Sequence, residues 1–569
     1  MALTQAISAQ SSSGEKVEAN VATPEKIEVS AENKQRITEI LRETSAMSAM
    51  LRSPYNRIHF TLKSASTLWK LDEKEARAML SVAMNDIRQI IVESDAEINR
   101  IENDAETDVS QISGGNELWV KTNRITTLRS ALINQLANLD PEWGFNFLQE
   151  TIKAVTNQEL KTRIEGNDKY LESMLIGRIA EKDTSKALDL GRKKLSEGVS
   201  SEVVNLLQTI YGKDKEKGAA FAEDVLKQIK LSGIDPNSSW TLSNLYSFGV
   251  ANIEEITKEK SNDKPIFSEQ SLRDLAVLLA KQITDPLNNN NYYGLTPEFV
   301  ASLQKYAPQQ TMQIKKTAEL QKLRAEREKA RYEKSSNFNG SIQKMYEAQS
   351  KFQNEIGTKM QGLTDTNINS EQKKKIIEET KSKILESGNK SLRFTSLISL
   401  ATQAANVGEK EIAIDVLEKA ETFINLQPKE MREFTEVWTL AGGYASLKPE
   451  RSFALVEDTI FRLNDVINAY VKFSEFQSGQ AVIENDELRM GDSGGQVFGF
   501  FYYSGDLIGK LAEADFKRAK GLADKFERPE FRIETRLMIA ANISQPQFNN
   551  MRRITPIISI NRGFHFSGN

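Results

Sequence analysis

The chain has 569 residues, 39% hydrophobic and 27% charged, with a formal net charge of −4; it is globular in composition and too long for one ordinary core, so several domains or a repeat array are expected. There is no cysteine and there are only two histidines, His59 and His565. That excludes disulfides, thiolate metal sites, iron–sulfur clusters and cysteine nucleophiles, and leaves a zinc site dependent on carboxylates, an uncommon choice for that ion. The charge balance, with no long basic run, argues against nucleic acid as a partner, and 13 prolines and 30 glycines are too few for a turn-rich β architecture.

Residues 1–33 are rich in Ser, Glu, Ala and Thr without a periodic apolar face, and are expected to form a disordered tail. Within them Ile7-Ser8-Ala9 resembles the small-residue end of a signal peptide, although the charged n-region and most of the apolar stretch are missing. Two localisations stay open: cytoplasmic as encoded, or exported if the true start lies upstream. N-terminal sequencing decides, since native protein that retains Ala2 to Ala9 is not processed there. No apolar run approaches the ~20 residues that a transmembrane helix needs.

From there apolar residues take helical spacing (Ile37, Ile40, Leu41, Met47, Met50, Leu51), and 34–308 reads as a first block of helical repeats. The repeat shows itself in Leu175–Leu190, which returns as Leu507–Leu522 with Asp183 replaced in register by Asp515. The same skeleton carries Asp140, Gly144 and Phe147, with Ala137 three residues ahead, and Asp72, Ala76 and Met79, with Trp69 ahead. A looser copy runs through Ala445, Lys448, Ser452 and Leu455. The spacing has a mechanical meaning. An Asp just before an apolar-periodic run can accept the orphan amides of a new helix, Pro141 suits the first helical position, and Glu75 completes a capping-box pattern with Asp72. The small residue four positions on lets the second helix close on the first, and the large residue three further on enters the core. The unit is helix, short turn, helix, and its aspartates read as caps rather than catalytic groups.

Residues 309–390 change character, with Lys315 to Lys334 dense in Lys, Arg and Glu at pairing distance and a thin apolar stripe. Without a heptad seam this predicts charged long helices or a linker between two repeat blocks rather than a zipper. The second block, 391–545, opens on Leu397, Leu400, Ala401, Ala404 and Ala405, broken by Gly408, then Ile412, Ala413, Val416, Leu417 and Ala420. This small-residue hairpin resembles tetratricopeptide-type repeats, which implies an α-solenoid-like stack, though no regular 34-residue period is present. An irregular insertion is expected near 488–504, where Phe498, Phe500, Phe501, Tyr502 and Tyr503 crowd beside four glycines. Residues 546–569 read as a C-terminal tail.

Gly491-Asp492-Ser493-Gly494-Gly495 resembles the nucleophile segment of trypsin-like serine proteases. That fold is a pair of β-barrels whose Ser needs a base His and a buried Asp. Here the surroundings are helical, His59 lies in a different context and His565 in the tail, so the glycines are read as a turn. Neither phosphate-binding glycine motif occurs. The adjacent pairs Glu254–Glu255 and Glu378–Glu379 do not face each other on a helix. Trp69, Trp119, Trp143, Trp240 and Trp438 are read as core, with Trp240 a candidate hairpin anchor.

The fold class expected is all-α, built of helical-hairpin repeats. No catalytic, cofactor-binding or metal residue can be named and no cofactor is implied. The leading expectation is a non-enzymatic scaffold that binds a protein or peptide partner. The alternative is a helical-toroid hydrolase with two carboxylates ~6.5–9.5 Å apart in an aromatic-lined cleft. A structural spacer is the third reading, and oligomeric state stays open.

Overall fold

The computed structural model describes residues 29–103, 116–232, 239–284 except 262, 296–314 except 313, 340–474 except 366, 483–491, and 498–544 except 503. Residues 1–28 and 545–569, the charged stretch 315–339 and the Ser493 segment lie outside the described residues, whereas the end of the expected 1–33 tail is helical from Ala31. The first run of helices comprises α1 (Ala31–Ala49), α2 (Pro54–Leu68), α3 (Glu73–Asn103), α4 (Asn116–Leu139), α5 (Pro141–Lys153) and α6 (Gln158–Lys182). It continues through α7 (Thr184–Leu195), α8 (Ser201–Lys213), α9 (Lys215–Ser232), α10 (Ser239–Glu259), α11 (Glu269–Thr284) and α12 (Pro297–Tyr306). The second run begins with α13 (Gly340–Gly362), α14 (Ser370–Leu385), α15 (Lys390–Asn406), α16 (Lys410–Glu421), α17 (Met431–Tyr444) and α18 (Pro449–Ser474). After the strands β1 (Ile483–Glu484) and β2 (Glu487–Leu488) come α19 (Gly499–Tyr502), α20 (Gly505–Ala514), α21 (Phe516–Asp524) and α22 (Pro529–Ser544). The architecture is an all-α array of helical hairpins.

Most of the repeated aspartates make a corner of one residue. Asp140, Asp183 and Asp515 each end one helix and begin the next, with nearly the same backbone: φ −143, −139 and −149°, ψ 87, 94 and 95°. Each backbone amide still closes the outgoing helix, at 2.7 Å to Leu136 and Ile179 and 2.8 Å to Leu511. Each side chain then accepts the amide three residues on, from Trp143 and Lys186 at 3.0 Å and from Arg518 at 2.9 Å. Asp72 caps Glu75 in the same way at 3.0 Å, although Trp69 to Leu71 intervene before it. One carboxylate thus satisfies an orphan donor at a sharp bend.

Asp214 adds a further corner of this kind. Its backbone sits at φ −146°, ψ 101°, and its carboxylate accepts from Lys217 at 3.0 Å. Gly218 and Phe221 follow at the repeat's offsets, with Phe221 fully buried. Ala307, with Thr311 and Ile314 buried after it, makes the same bend without an aspartate.

The corners are tied into a row. The residue three after Asp183, Asp214 and Asp515 reaches back to the corner before it: Lys186 to Glu142 at 2.6 Å, Lys217 to Thr184 at 3.3 Å, and Arg518 to Glu450 at 2.5 Å. Between the first two corners Arg77 binds Asp140 at 2.8 Å, with its guanidinium over Trp69 and Trp143 at 4.8 and 5.4 Å. Those two tryptophans, expected in the core, are half-buried: they pack against the core cluster and also clasp a cation. Trp438 is buried at 3% exposure as expected, and the side chains of Trp119 and Trp240 fall outside the described set.

Burial at Asp140 pushes its carboxyl up, but the Trp143 amide and the Arg77 guanidinium outweigh that and hold it below the ordinary range. Asp140→Ala is therefore expected to cost about 1–2 kcal/mol, seen as a lower urea midpoint, and Asp140→Asn, which can still cap, about half of that.

The core joins the first and last described helices. α22 packs on α1 and α2 as well as on α20 and α21. One continuous apolar cluster therefore joins Ile37 through Leu175 to Ile356 through Ile543, while a second holds Ile176 through Ile314. α13 and α14 enter the first cluster through Ile356, Leu363, Ile377 and Ile384, carrying their charges on the other face. In space the array thus reads from α13 to α22 and continues at α1.

Candidate functional site

Two clefts among the described residues are shallow, and in each some of the lining charges pair with one another. One, about 420 Å³, lies between α13 and α14 and is lined by Glu355, Lys359, Glu378, Glu379, Lys383 and Glu386. Lys383 bridges Glu386 at 3.1 Å and Glu355 at 3.8 Å. The other, about 470 Å³, is formed by the end of α16, the following loop and the α17–α18 corner. In it Glu421 accepts from Arg451 and from the Tyr444 hydroxyl at 3.2 Å, and Glu418 pairs with Lys448 at 3.2 Å. Burial and the Glu421 charge both push the Tyr444 hydroxyl pKa upward, so it remains a donor.

A general acid for inverting hydrolysis needs a carboxyl kept protonated by its surroundings. Burial raises the carboxyls of Asp86, Asp168 and Glu436, and none of these lines either cleft. Among the described residues no group of three or more His, Asp and Glu is placed to hold a metal ion. No described helix is long and apolar enough to cross a membrane.

A dense set of polar contacts lies where the first and last described helices meet. β1 and β2 form a hairpin closed by Asn485 and Asp486, both left-handed at φ 53 and 65°, as a two-residue hairpin turn requires. It precedes the aromatic-rich stretch, and the described residues of 488–504 hold its end and the single turn of α19. Glu487 lies at the N-terminus of α2, where its carboxylate accepts the amides of Arg52 at 2.7 Å and Ser53 at 3.0 Å. A carboxylate is favoured there by the unpaired amides and the helix dipole. The Asn56 side chain pairs with the hairpin as another strand would, donating to Leu488 O and accepting from Met490 N, both at 2.9 Å.

Three further carboxylates complete the seam. Glu484 pairs with Arg124 of α4 at 2.5 Å and accepts a hydrogen bond from the Ser53 hydroxyl. Glu530 of α22, fully buried, accepts the Leu488 amide at 2.7 Å and Arg528 at 3.0 Å. Glu534 binds Lys63 of α2 at 2.5 Å. The hairpin therefore clamps α2, α4 and α22 to one another.

His59 sits under this clamp. A Cβ on Gly491, which is left-handed at φ +84°, would fall 2.5 Å from the imidazole Cε1, so only glycine allows the backbone this close. The histidine and the first glycine of Gly491-Asp492-Ser493 are thus neighbours. The imidazole Nε2 nevertheless has no hydrogen-bond partner, and Ser493 lies outside the described residues. Burial first, and then the Lys63 charge, lower the His59 pKa to about 3, so the ring is neutral at physiological pH. Nε2 is sealed from water even though the residue as a whole is only half-buried.

No protein-family model and no curated protein matches the chain. Among solved structures, a circular tandem repeat protein with novel repeat topology and enhanced subunit contact surfaces aligns at 13% identity. The alignment covers 91% of this chain and 99% of that one, with a TM-score of 0.16, and superposition of that quality supports no inference. The fold assignment rests on the chain's own helices: an all-α array of helical-hairpin repeats.

Proposed function

We propose that this chain is a non-enzymatic scaffold whose helical array binds a protein or peptide partner along its outer face. The observation that carries the reading is the array itself. Stacked hairpins spread their surface rather than enclose it, and extended recognition is what that geometry serves well. Two features support it. In the second cleft Glu418, Glu421, Lys448 and Arg451 are spent on one another, and in the first Lys383 is spent on Glu355 and Glu386. Large apolar side chains stand in solvent on the array, with Phe461 and Phe473 of α18 at 75% and 61% exposure and Tyr170 of α6 at 62%. Exposed aromatics of this size are typical anchors of protein interfaces.

The test is crosslinked affinity purification of the native protein beside a Phe461→Ser, Phe473→Ser variant shown to fold by its circular dichroism and urea midpoint. A near-stoichiometric partner, recovered about tenfold less well with the variant, is the expected result; each lost aromatic anchor is worth about 1–2 kcal/mol. A folded, abundant chain that captures no partner overturns the reading.

A further inference from the structure

The two layers of the first block differ in surface chemistry. Along α5, α7, α9 and α11 ion pairs join helix to helix: Lys186 to Glu142 at 2.6 Å, Arg192 to Asp224 at 2.8 Å, and Lys230 to Asp274. The helices α4, α6, α8 and α10 pack side by side as the other layer, and the middle of their solvent side is without charge. Between Ile125 and Leu139 the one charged residue is the buried Arg129, and the stretches Val203–Gly212 and Leu242–Ile253 hold none. Surfaces that keep a protein soluble are roughly a quarter to a third charged, so four neighbouring helices without charge are a departure. On α6, Gly166, Tyr170, Ser173 and Gly177 recur at three- and four-residue intervals and make one uncharged stripe. Glu165, Lys169 and Glu172 line its margin, with Glu172 bound to Lys194 of α7. Where α4 meets α6 the tie is neutral, from the Asn167 amide to the Ser130 hydroxyl at 2.7 Å.

Amides stand where charges would be. Asn134 of α4 and Asn205 of α8 are exposed, and their side chains have no partner among the described residues. Ser247 of α10 continues the row. An amide side chain both donates and accepts, as a peptide group does. Relief over the row is low, since a Cβ at Gly166, Gly177 or Gly212 would meet nothing within 4 Å.

We propose that the face of α4, α6, α8 and α10 binds an extended polypeptide segment without charged side chains, laid across the four helices and paired through its main chain with their amides and hydroxyls. The inference rests on the scaffold reading and names the partner's chemistry. Packed helices lie about 8–10 Å apart, so the row spans roughly 30–40 Å, the length of about 12 extended residues. Each helix then meets about every third residue of the segment. A charged segment is disfavoured, because a carboxylate or ammonium laid on the middle of this face loses water without gaining a counter-charge. A neutral oligosaccharide shares the hydrogen bonding but needs aromatic platforms for its ring faces. Among the described residues the face has one large exposed aromatic, Tyr170, while Phe248 is spent edge-on against Tyr211.

The probe is a phage-displayed library of random peptides of about 12 residues, long enough to cross the row, panned on the full chain. Selected peptides are synthesised and their binding is measured by fluorescence anisotropy. The expected sequences are depleted of Asp, Glu, Lys and Arg, and their affinity changes less than about twofold between roughly 0.05 and 0.5 M salt. The variant Asn134→Ala, Asn205→Ala, changed at two exposed positions and checked by circular dichroism, should bind them about tenfold less well. Asp189→Ala, exposed on the charged layer in α7, should bind them unchanged. Selection of charged peptides, an affinity that collapses with salt, or undiminished binding by the double variant each overturns the proposal. So does a neutral-oligosaccharide array that binds through Asn134 and Asn205 when no peptide is selected, which gives the face to a glycan. If no peptide is selected while the native partner is still captured through Phe461 and Phe473, this inference falls and the scaffold reading stands.

Discussion

Arg129→Ala should be among the most damaging single substitutions in the array, lowering the stability of the α4–α6 repeat by about 3–5 kcal/mol. Arg129 is 1% exposed. Its guanidinium holds Asp168 of α6 through both terminal nitrogens, one of them at 2.8 Å, and donates to Thr151 at 2.7 Å and to Leu148 O at 2.9 Å in α5. Three helices thus meet on one side chain. Burial raises the Asp168 carboxyl despite the guanidinium beside it, so desolvation outweighs pairing on the acid's side. The pair is therefore not a large net gain over an apolar core. What is costly is breaking it, which strands a carboxylate in the interior. The double variant Arg129→Leu, Asp168→Leu should recover most of the loss. Urea unfolding of the two single variants and the double one checks this; losses that simply add would show that the two residues are not energetically coupled.

The corners could be read in advance because capping is local. An aspartate, a small residue four on and a large one seven on lie within a single stretch of chain, and the backbone has few ways to satisfy the first amides of a helix. Asp214, Gly218 and Phe221 carry the same offsets and could have been found that way. The seam could not. Arg52 and Glu487 are 435 residues apart, as are no two members of a capping motif, and nothing in helical periodicity says that α1 will lie against α22. Asn485-Asp486 is a readable turn signal, but with two residues in each strand there is no alternation to reinforce it. Arg77 is a subtler case. Trp69 and Trp143 each look like core from their spacing, and only the stacking of two corners brings them to the faces of one guanidinium. His59 gave no sequence signal of its state, because the glycine that encloses it comes from the other end of the chain.

The small residue of the repeat gives the second strong prediction, a pair of identical substitutions with opposite signs. At Gly218 a Cβ would meet the Tyr211 Cα at 2.4 Å and its Cβ at 2.5 Å, a contact with backbone that no side-chain rotation relieves. Nor can Tyr211 retreat, since its hydroxyl is held by Lys264 O at 2.7 Å and Asn252 at 3.1 Å, and its ring packs edge-on against Phe248. Gly218→Ala should therefore pry α8 from α9 at the corner and cost about 1–3 kcal/mol, the usual penalty of overpacking a fixed site. At Gly166, inside α6, the same added methyl meets nothing within 4 Å. There the gain in helix propensity should prevail, and Gly166→Ala should stabilise by about 0.5–1 kcal/mol. Urea midpoints of both variants against the parent chain check the pair. If Gly218→Ala were neutral, the close approach of α8 and α9 would not be what the small residue at each corner is for, and glycine or alanine there would reflect helix propensity alone.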